Sequence, residues 1–316
     1  MSHRGIRKFF VRGFVFALPI ILILGYTEYK LRGVPNSYST KRKHLERQLD
    51  SIEVLVLGSS QMADALNPAL FRQHGFNLCN IAQPLYHDIQ LARRYIPRMP
   101  RLRCVIFSLS YFSFGYNLED TGESWRDYYY YHFWDIKAND VKWYDARTVS
   151  YIALYQPKRV LRYAARGFTV NEVEGMQPNG WNRAEKTHYE LINDSLGHER
   201  VKTHDVLMKQ SRVDENFRSL AGLVGDLRNQ GIFTIFVTPP VYATYSKFMN
   251  PATVALNRRL IDSLCTMYGC PYVDLSTDQR FVITDFQDND HLNESGAEKV
   301  SRILNNETLS RFYASR

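Results

Sequence analysis

Five short apolar runs, separated by helix-length stretches and polar turns, most constrain how this 316-residue chain can fold. They lie at 53–58 (EVLVLG), 76–81, 103–109 (RCVIFSL), 232–237 (IFTIFV) and 271–275. Their lengths suit strands. Their near-continuous apolar character suits strands covered on both faces, where a half-exposed antiparallel strand would alternate. Between them, 87–95, 214–229 and 251–268 read as helices, Asn67-Pro68 offers an N-cap with proline at the first helical position, and Asn293 caps a closing helix over 294–312. Strands alternating with helices imply an α/β fold with a five-stranded parallel sheet between two helical layers. The alternation lapses after the third strand. Residues 112–209 are rich in aromatics, including the run 128–134 (YYYYHFW), and form a large insertion that is helical in parts such as 151–165.

The net charge of +8 would suggest nucleic acid if it were spread over the body. It is not. Residues 1–50 hold ten of the 40 Lys/Arg and three of the 32 Asp/Glu, which leaves 51–316 with one excess positive charge. The basic excess is membrane flanking, and no nucleic-acid partner is expected.

Residues 9–26 (FFVRGFVFALPIILILGY) are almost wholly apolar. The uncharged stretch Gly13 to Thr27 is 15 residues, short of the about 20 that a spanning helix needs. Phe9 to Val11 extend it if Arg12 snorkels to the interface. No small-x-small cleavage site follows, which favours an uncleaved anchor over a removed signal peptide; a buried or amphipathic helix is the alternative. The chain then divides into a tail and anchor (1–27), a basic stalk (28–50) with a helix over 41–49, and the main domain (51–316). Flanking charge is nearly balanced across the span. The short tail favours a single-pass protein whose main domain is extracytoplasmic.

Cys79 and Cys104 fall in apolar runs and read as buried thiols. Cys265 and Cys270 flank Tyr268-Gly269 and are close enough to pair in an oxidising compartment.

Ligands bind beyond the carboxyl ends of parallel strands. Two polar clusters fall there. Gly58-Ser59-Ser60-Gln61 follows strand one, and a serine at the mouth of a helix has backbone N–H groups aimed at a developing oxyanion. Asp285-Phe-Gln-Asp288-Asn-Asp290-His291 precedes the last helix. A histidine held through Nδ1 by a nearby carboxylate can take a proton from serine at Nε2. Ser59 is an alternative nucleophile, and Asp285 and Asp290 are alternative orienters at less suitable spacing. The same acids with His291 could suggest a divalent metal, but no second ligand cluster supports it, so no metal or other cofactor is expected. His87 and Asp88 open a helix, where capping and solvation account for them. A nucleotide-binding reading fails for want of Gly-x-Gly-x-x-Gly after strand one.

Gly58-x-Ser60 early in the domain and Asp288-x-x-His291-Leu292-Asn293-x-x-Gly296-Ala297 before the final helix resemble the first and last blocks of the SGNH/GDSL hydrolase family. The resemblance covers 52–111 and 214–312, not the insertion. It implies a flavodoxin-like α/β/α sandwich with Ser60 as nucleophile, His291 as base and Asp288 as its orienter. The departures are specific. Ser59 stands where the family has aspartate. Ala82 stands where a glycine N–H joins the oxyanion hole. The Gly-x-Asn-Asp block is absent; Ser108-Leu-Ser110-Tyr111 takes its place. The oxyanion donors implied are then the N–H groups of Ser60 and Ala82 with Gln83, and Ser110 or Tyr111 would meet the substrate. The variant blocks and the anchor resemble the branch of D-alanyl-transfer and polysaccharide O-acetylation proteins. That branch implies acyl-ester hydrolysis or transfer on a cell-surface glycan beside a multi-span O-acyltransferase. A catalytically idle scaffold that binds polysaccharide or docks on such a transferase is the alternative. The aromatic run 128–134 would line a sugar groove or pack against the sheet.

Overall fold

The computed structural model describes residues 3–173, 175–183 and 186–314. Strands β1 (Val54–Leu57), β2 (Gly75–Asn77), β3 (Cys104–Ser108), β4 (Phe233–Thr238) and β5 (Tyr272–Asp274) form one parallel sheet in the order β2-β1-β3-β4-β5. This is the flavodoxin-like order. It has a switch point beside β1, because the chain moves outward from β1 in one direction to β2 and in the other through β3 to β5.

Thirteen α-helical segments occur among the described residues, of which twelve matter here. They are α1 (His3–Arg32), α2 (Ser37–Glu46), α3 (Ser60–Ala65), α4 (Leu85–Tyr95), α5 (Trp125–Trp134), α6 (Tyr151–Leu154), α7 (Pro157–Ala165), α8 (Asp194–Leu207), α9 (Gln210–Asn229), α10 (Ala243–Ser246), α11 (Pro251–Tyr268) and α12 (Glu294–Ile303). Side chains alternate across each strand and split the core in two. Leu55, Leu57, Val105, Phe107 and Phe236 pack under α4, α9 and α11; Val54, Val56, Cys104, Ile106 and Val237 pack under α3 and α12. The second layer carries both candidate clusters.

Three expectations need correction. The strand expected over 76–81 ends at Asn77. Beyond it the carbonyls of Asn77 and Cys79 take hydrogen bonds from the buried Lys41 ammonium, so the chain peels off the sheet edge as a loop. Residues 28–50 are no stalk. Leu31, Val34, Tyr38 and Leu45 lie in the main core, and Asn36 starts α2 through a capping box. Of the basic residues that suggested a solvated linker, Arg32, Lys43 and Arg47 are exposed, whereas Lys41 is buried and Arg42 donates to the Phe133 carbonyl at 2.9 Å. Cys265 and Cys270 are free thiols, as are the buried Cys79 and Cys104.

Residues Gly5–Arg32 of α1 are long and apolar enough to cross a bilayer, and none of the other described residues buries the most apolar stretch. The first part of the insertion, through α5, lies largely in the core, while much of 156–209 is exposed. Tyr128, Tyr129, Tyr130, Phe133 and Trp134 of α5 are buried, so packing accounts for most of the aromatic run.

Candidate active site

Gly58 turns the chain sharply out of β1. Its φ is +152°, and a Cβ there would meet the Ser108 Cβ at 2.4 Å, so only glycine fits between β1 and β3. Ser59 then takes extended backbone as the N-cap and Ser60 opens α3. The far end of α3 is fixed by Asn77, whose Nδ2 donates to the carbonyls of Met62 and Leu66 at 3.1 and 2.8 Å.

The second segment closes back on itself through a bridge between Phe286 and Leu292. Asp288 Oδ1 accepts the backbone N–H groups of Asp290 and His291 at 3.0 and 2.9 Å, which curls the loop around its own carboxylate. Asn293 caps α12 through the N–H groups of Ser295 and Gly296. A Cβ on Gly296 would meet the Asp285 carbonyl oxygen at 2.3 Å, so the helix start is pressed onto the loop.

These segments, 231 residues apart, converge. Ser60 Oγ lies 2.9 Å from His291 Nε2. His291 Nδ1 faces both Asp288 oxygens at 3.0 and 3.1 Å. The serine is half-buried, while the imidazole is 8% exposed and so held out of bulk water. Burial disfavours the imidazolium, but Asp290 and Asp288 outweigh it, with Asp64 adding to them, and raise the His291 pKa to about 9. The Asp288 carboxylate is partly desolvated, yet its bonds to His291 and to the loop N–H groups hold its pKa below the ordinary range. A serine bonded to an imidazole that is itself oriented by a carboxylate can be activated as a nucleophile.

Asp290, the alternative orienter next to His291, also reaches the site. Its buried carboxylate lies 3.5 Å from His291 Nδ1, accepts Gln61 Nε2 at 3.1 Å and pairs with Arg200 at 3.2 Å. Gln61 is next to Ser60, and Arg200 comes from α8 in the insertion. No local motif marks either partner. The ligand atoms of Asp288, Asp290 and His291 lie within 4.8 Å of one another, but they are already engaged with Ser60, Gln61, Arg200 and the loop N–H groups. Asp285 serves structure, accepting Ser295 Oγ, Lys299 Nζ and the Val282 N–H.

The expected oxyanion and substrate groups divide. Ala82 has φ +52°, in the left-handed region that favours glycine. Its N–H has no hydrogen-bond acceptor among the described residues, and its carbonyl accepts Tyr116 Oη at 3.3 Å. Gln83 is committed elsewhere: Nε2 donates to Asp88 at 2.6 Å, Oε1 accepts Tyr130 Oη at 2.8 Å, and its backbone N–H bonds the Asn80 carbonyl. Its role is to brace the loop. Tyr111 is also spoken for, because its hydroxyl donates to Asp205 at 2.6 Å and accepts the Asn250 N–H at 3.0 Å. Ser110 Oγ stands 3.4 Å behind Ser59 Oγ, holding the N-cap residue. Asp88, expected to be solvated, is buried and accepts the Gly58 N–H, which ties α4 to the turn that presents Ser60. His87 is buried too, stacked on Tyr130 at 3.8 Å.

Beside Ala63 of α3 and Asn80-Ile81 of the loop opens a cleft of about 610 Å³, walled by Tyr38, Trp125 and Tyr129 and by Arg126, Arg159 and Arg162.

No protein-family model matches the chain. No curated protein matches it either. Among solved structures it is similar to a Bacteroides fragilis NCTC 9343 protein provisionally described as an acylhydrolase, at 10% identity over 85% of this chain and 96% of that one, with a TM-score of 0.40.

Proposed function

We propose that this protein is a serine-dependent acyl-esterase or O-acyltransferase. One observation carries the reading: Ser60 Oγ, His291 Nε2 and the Asp288 carboxylate stand in hydrogen-bonded series at the carboxyl edge of the sheet. Ser60 Oγ attacks the ester carbonyl while His291 Nε2 takes its proton. The oxyanion meets the N–H groups of Ser60 and Ala82. His291 returns the proton to the departing alcohol, leaving an acyl group on Ser60, which water or an acceptor hydroxyl then removes by the same relay. Water gives hydrolysis; a sugar hydroxyl gives transfer.

The acceptor or donor is a cell-surface glycan on this reading. The open cleft beside α3 supports it, since the half-buried Trp125 on its wall suits a sugar ring and its arginines suit anionic groups. An extracytoplasmic main domain and a multi-span O-acyltransferase as partner follow from the family resemblance and from α1.

A specific observation favours a second reading, an idle scaffold that binds glycan or docks on the transferase. The expected oxyanion donor Gln83 and the expected substrate contact Tyr111 are both committed elsewhere, and loss of one oxyanion donor costs about 3 kcal/mol of barrier. A serine-reactive fluorophosphonate probe decides between them. Labelling at alkaline pH that disappears in Ser60→Ala and in His291→Ala supports the enzyme. Labelling that persists in Ser60→Ala, or none in the wild type between pH 6 and 10, ends that reading.

A further inference from the structure

We propose that the turn at 143–149 in the insertion is a second membrane contact, seated in the headgroup layer of the bilayer that α1 enters, and that Glu28 holds it there. Trp143 is 82% exposed, Tyr144 71% and Val149 71%, all within one short turn. Scattered apolar residues at a surface need no explanation, but a Trp-Tyr pair packed edge to face at 5.8 Å and turned outward is unusual for a water-facing loop. Indole and phenol rings partition to the membrane–water interface, where one edge is apolar and the other wet.

Position in the fold supplies the occupant. α1 carries its own aromatic pair, Tyr26 and Tyr29, both exposed, where its apolar stretch ends. Glu28 lies two residues, about 3 Å, along the helix from Tyr26. Its carboxylate reaches out of α1 into the insertion. Oε1 accepts the Tyr151 N–H at 2.8 Å, and Oε2 accepts Ser150 Oγ at 3.0 Å and the Ile152 N–H at 3.1 Å. Val149 is the residue just before this clamp. The turn is fastened to it, because Thr148 Oγ1 donates to the carbonyls of Trp143 and Asp145 at 3.4 and 2.7 Å. On the other side of the clamp, Phe168 packs on Tyr26 at 6.2 Å. The insertion therefore sits at the level where α1 leaves the hydrocarbon. Charge agrees: Lys142 precedes the turn and is exposed, and Asp145 within it is neutralised by Arg147 at 2.6 Å.

With no flexible stalk after α1, two contacts with the bilayer fix the domain's tilt, where one would leave it free to rotate. The inference needs α1 in a bilayer but no particular chemistry at Ser60.

Tryptophan quenching tests it, because α1 contains no tryptophan and any quenching reports on the domain. The full chain is reconstituted in phosphatidylcholine–phosphatidylglycerol vesicles bearing a headgroup nitroxide. The expected result is quenching that Trp143→Phe abolishes and Trp125→Phe preserves. Glu28→Ala should lose at least half of it while the protein still resists alkaline carbonate extraction. Quenching unchanged in Trp143→Phe, or release of the wild type by carbonate, overturns the proposal. Unchanged quenching in Glu28→Ala overturns the clamp.

Discussion

Gln61 donates from Nε2 to Asp290 Oδ2 at 3.1 Å, joining the helix that begins with Ser60 to the loop that holds His291. This bond sets the distance between serine and imidazole from outside the pair itself. Gln61→Ala should lower kcat on an activated acyl ester by roughly 10- to 100-fold with little change in KM, since small misplacements of reacting groups have effects of that size. An unchanged kcat would show that Asp288 alone positions the imidazole.

Asp290 also sets the charge on His291. Its charge, together with Asp288, raises the His291 pKa to about 9. The proposed mechanism requires the neutral imidazole, so kcat/KM should climb with pH toward a midpoint near 9 in the free enzyme. Asp290→Asn should move that midpoint down toward the ordinary histidine range of about 6.5. The stability linkage has the opposite sense. A folded pKa above the unfolded one contributes stability that is complete below about pH 6.5 and is lost as pH rises through about 9. Thermal melts across pH 6 to 10 should therefore fall where activity rises, and less so in Asp290→Asn.

Ala82 offers a test of backbone strain. A non-glycine residue in the left-handed region bears about 1–2 kcal/mol, and Ala82 sits there at φ +52°. Ala82→Gly should keep activity, because the N–H stays, and should change stability by less than about 1 kcal/mol, since relieved strain is offset by a freer unfolded chain. Ala82→Pro removes the N–H and cannot reach this φ. Labelling by the fluorophosphonate should drop at least tenfold even where the circular dichroism spectrum is native.

Gly58→Ala should do more damage than its size suggests. The added Cβ falls 2.4 Å from that of Ser108, at a φ of +152°. Overpacking and strain together predict a loss of about 3 kcal/mol, read as a lowered urea midpoint. Ser108→Gly in the same chain should recover part of it by opening the space.

Lys41 is buried and donates hydrogen bonds to the carbonyls of Asn77 and Cys79; desolvation lowers its pKa to about 8. Lys41→Met should destabilise the chain by about 2 kcal/mol through the orphaned carbonyls. It should also loosen the loop that presents Ala82, seen as faster amide exchange there.

What the sequence by itself determined is whatever local pattern encodes. Apolar runs specify buried parallel strands because only residues covered on both faces lack alternation. Gly58 and the Asp288-to-Ala297 run specify their turns because those backbones tolerate few other residues. From these the sheet, its layers and the convergence of Ser60 with His291 could be anticipated. Tertiary structure alone decided the rest, since it depends on partners with no fixed spacing. Lys41 reads as one more basic residue until Asn77 and Cys79 meet it. Gln83 reads as a free donor until Asp88 and Tyr130 consume it. Asp290 gains its place only when Gln61 and Arg200 arrive from other elements, and Glu28 only when the insertion folds back on α1. Burial and pairing are properties of the assembled chain, and a single side chain cannot announce them.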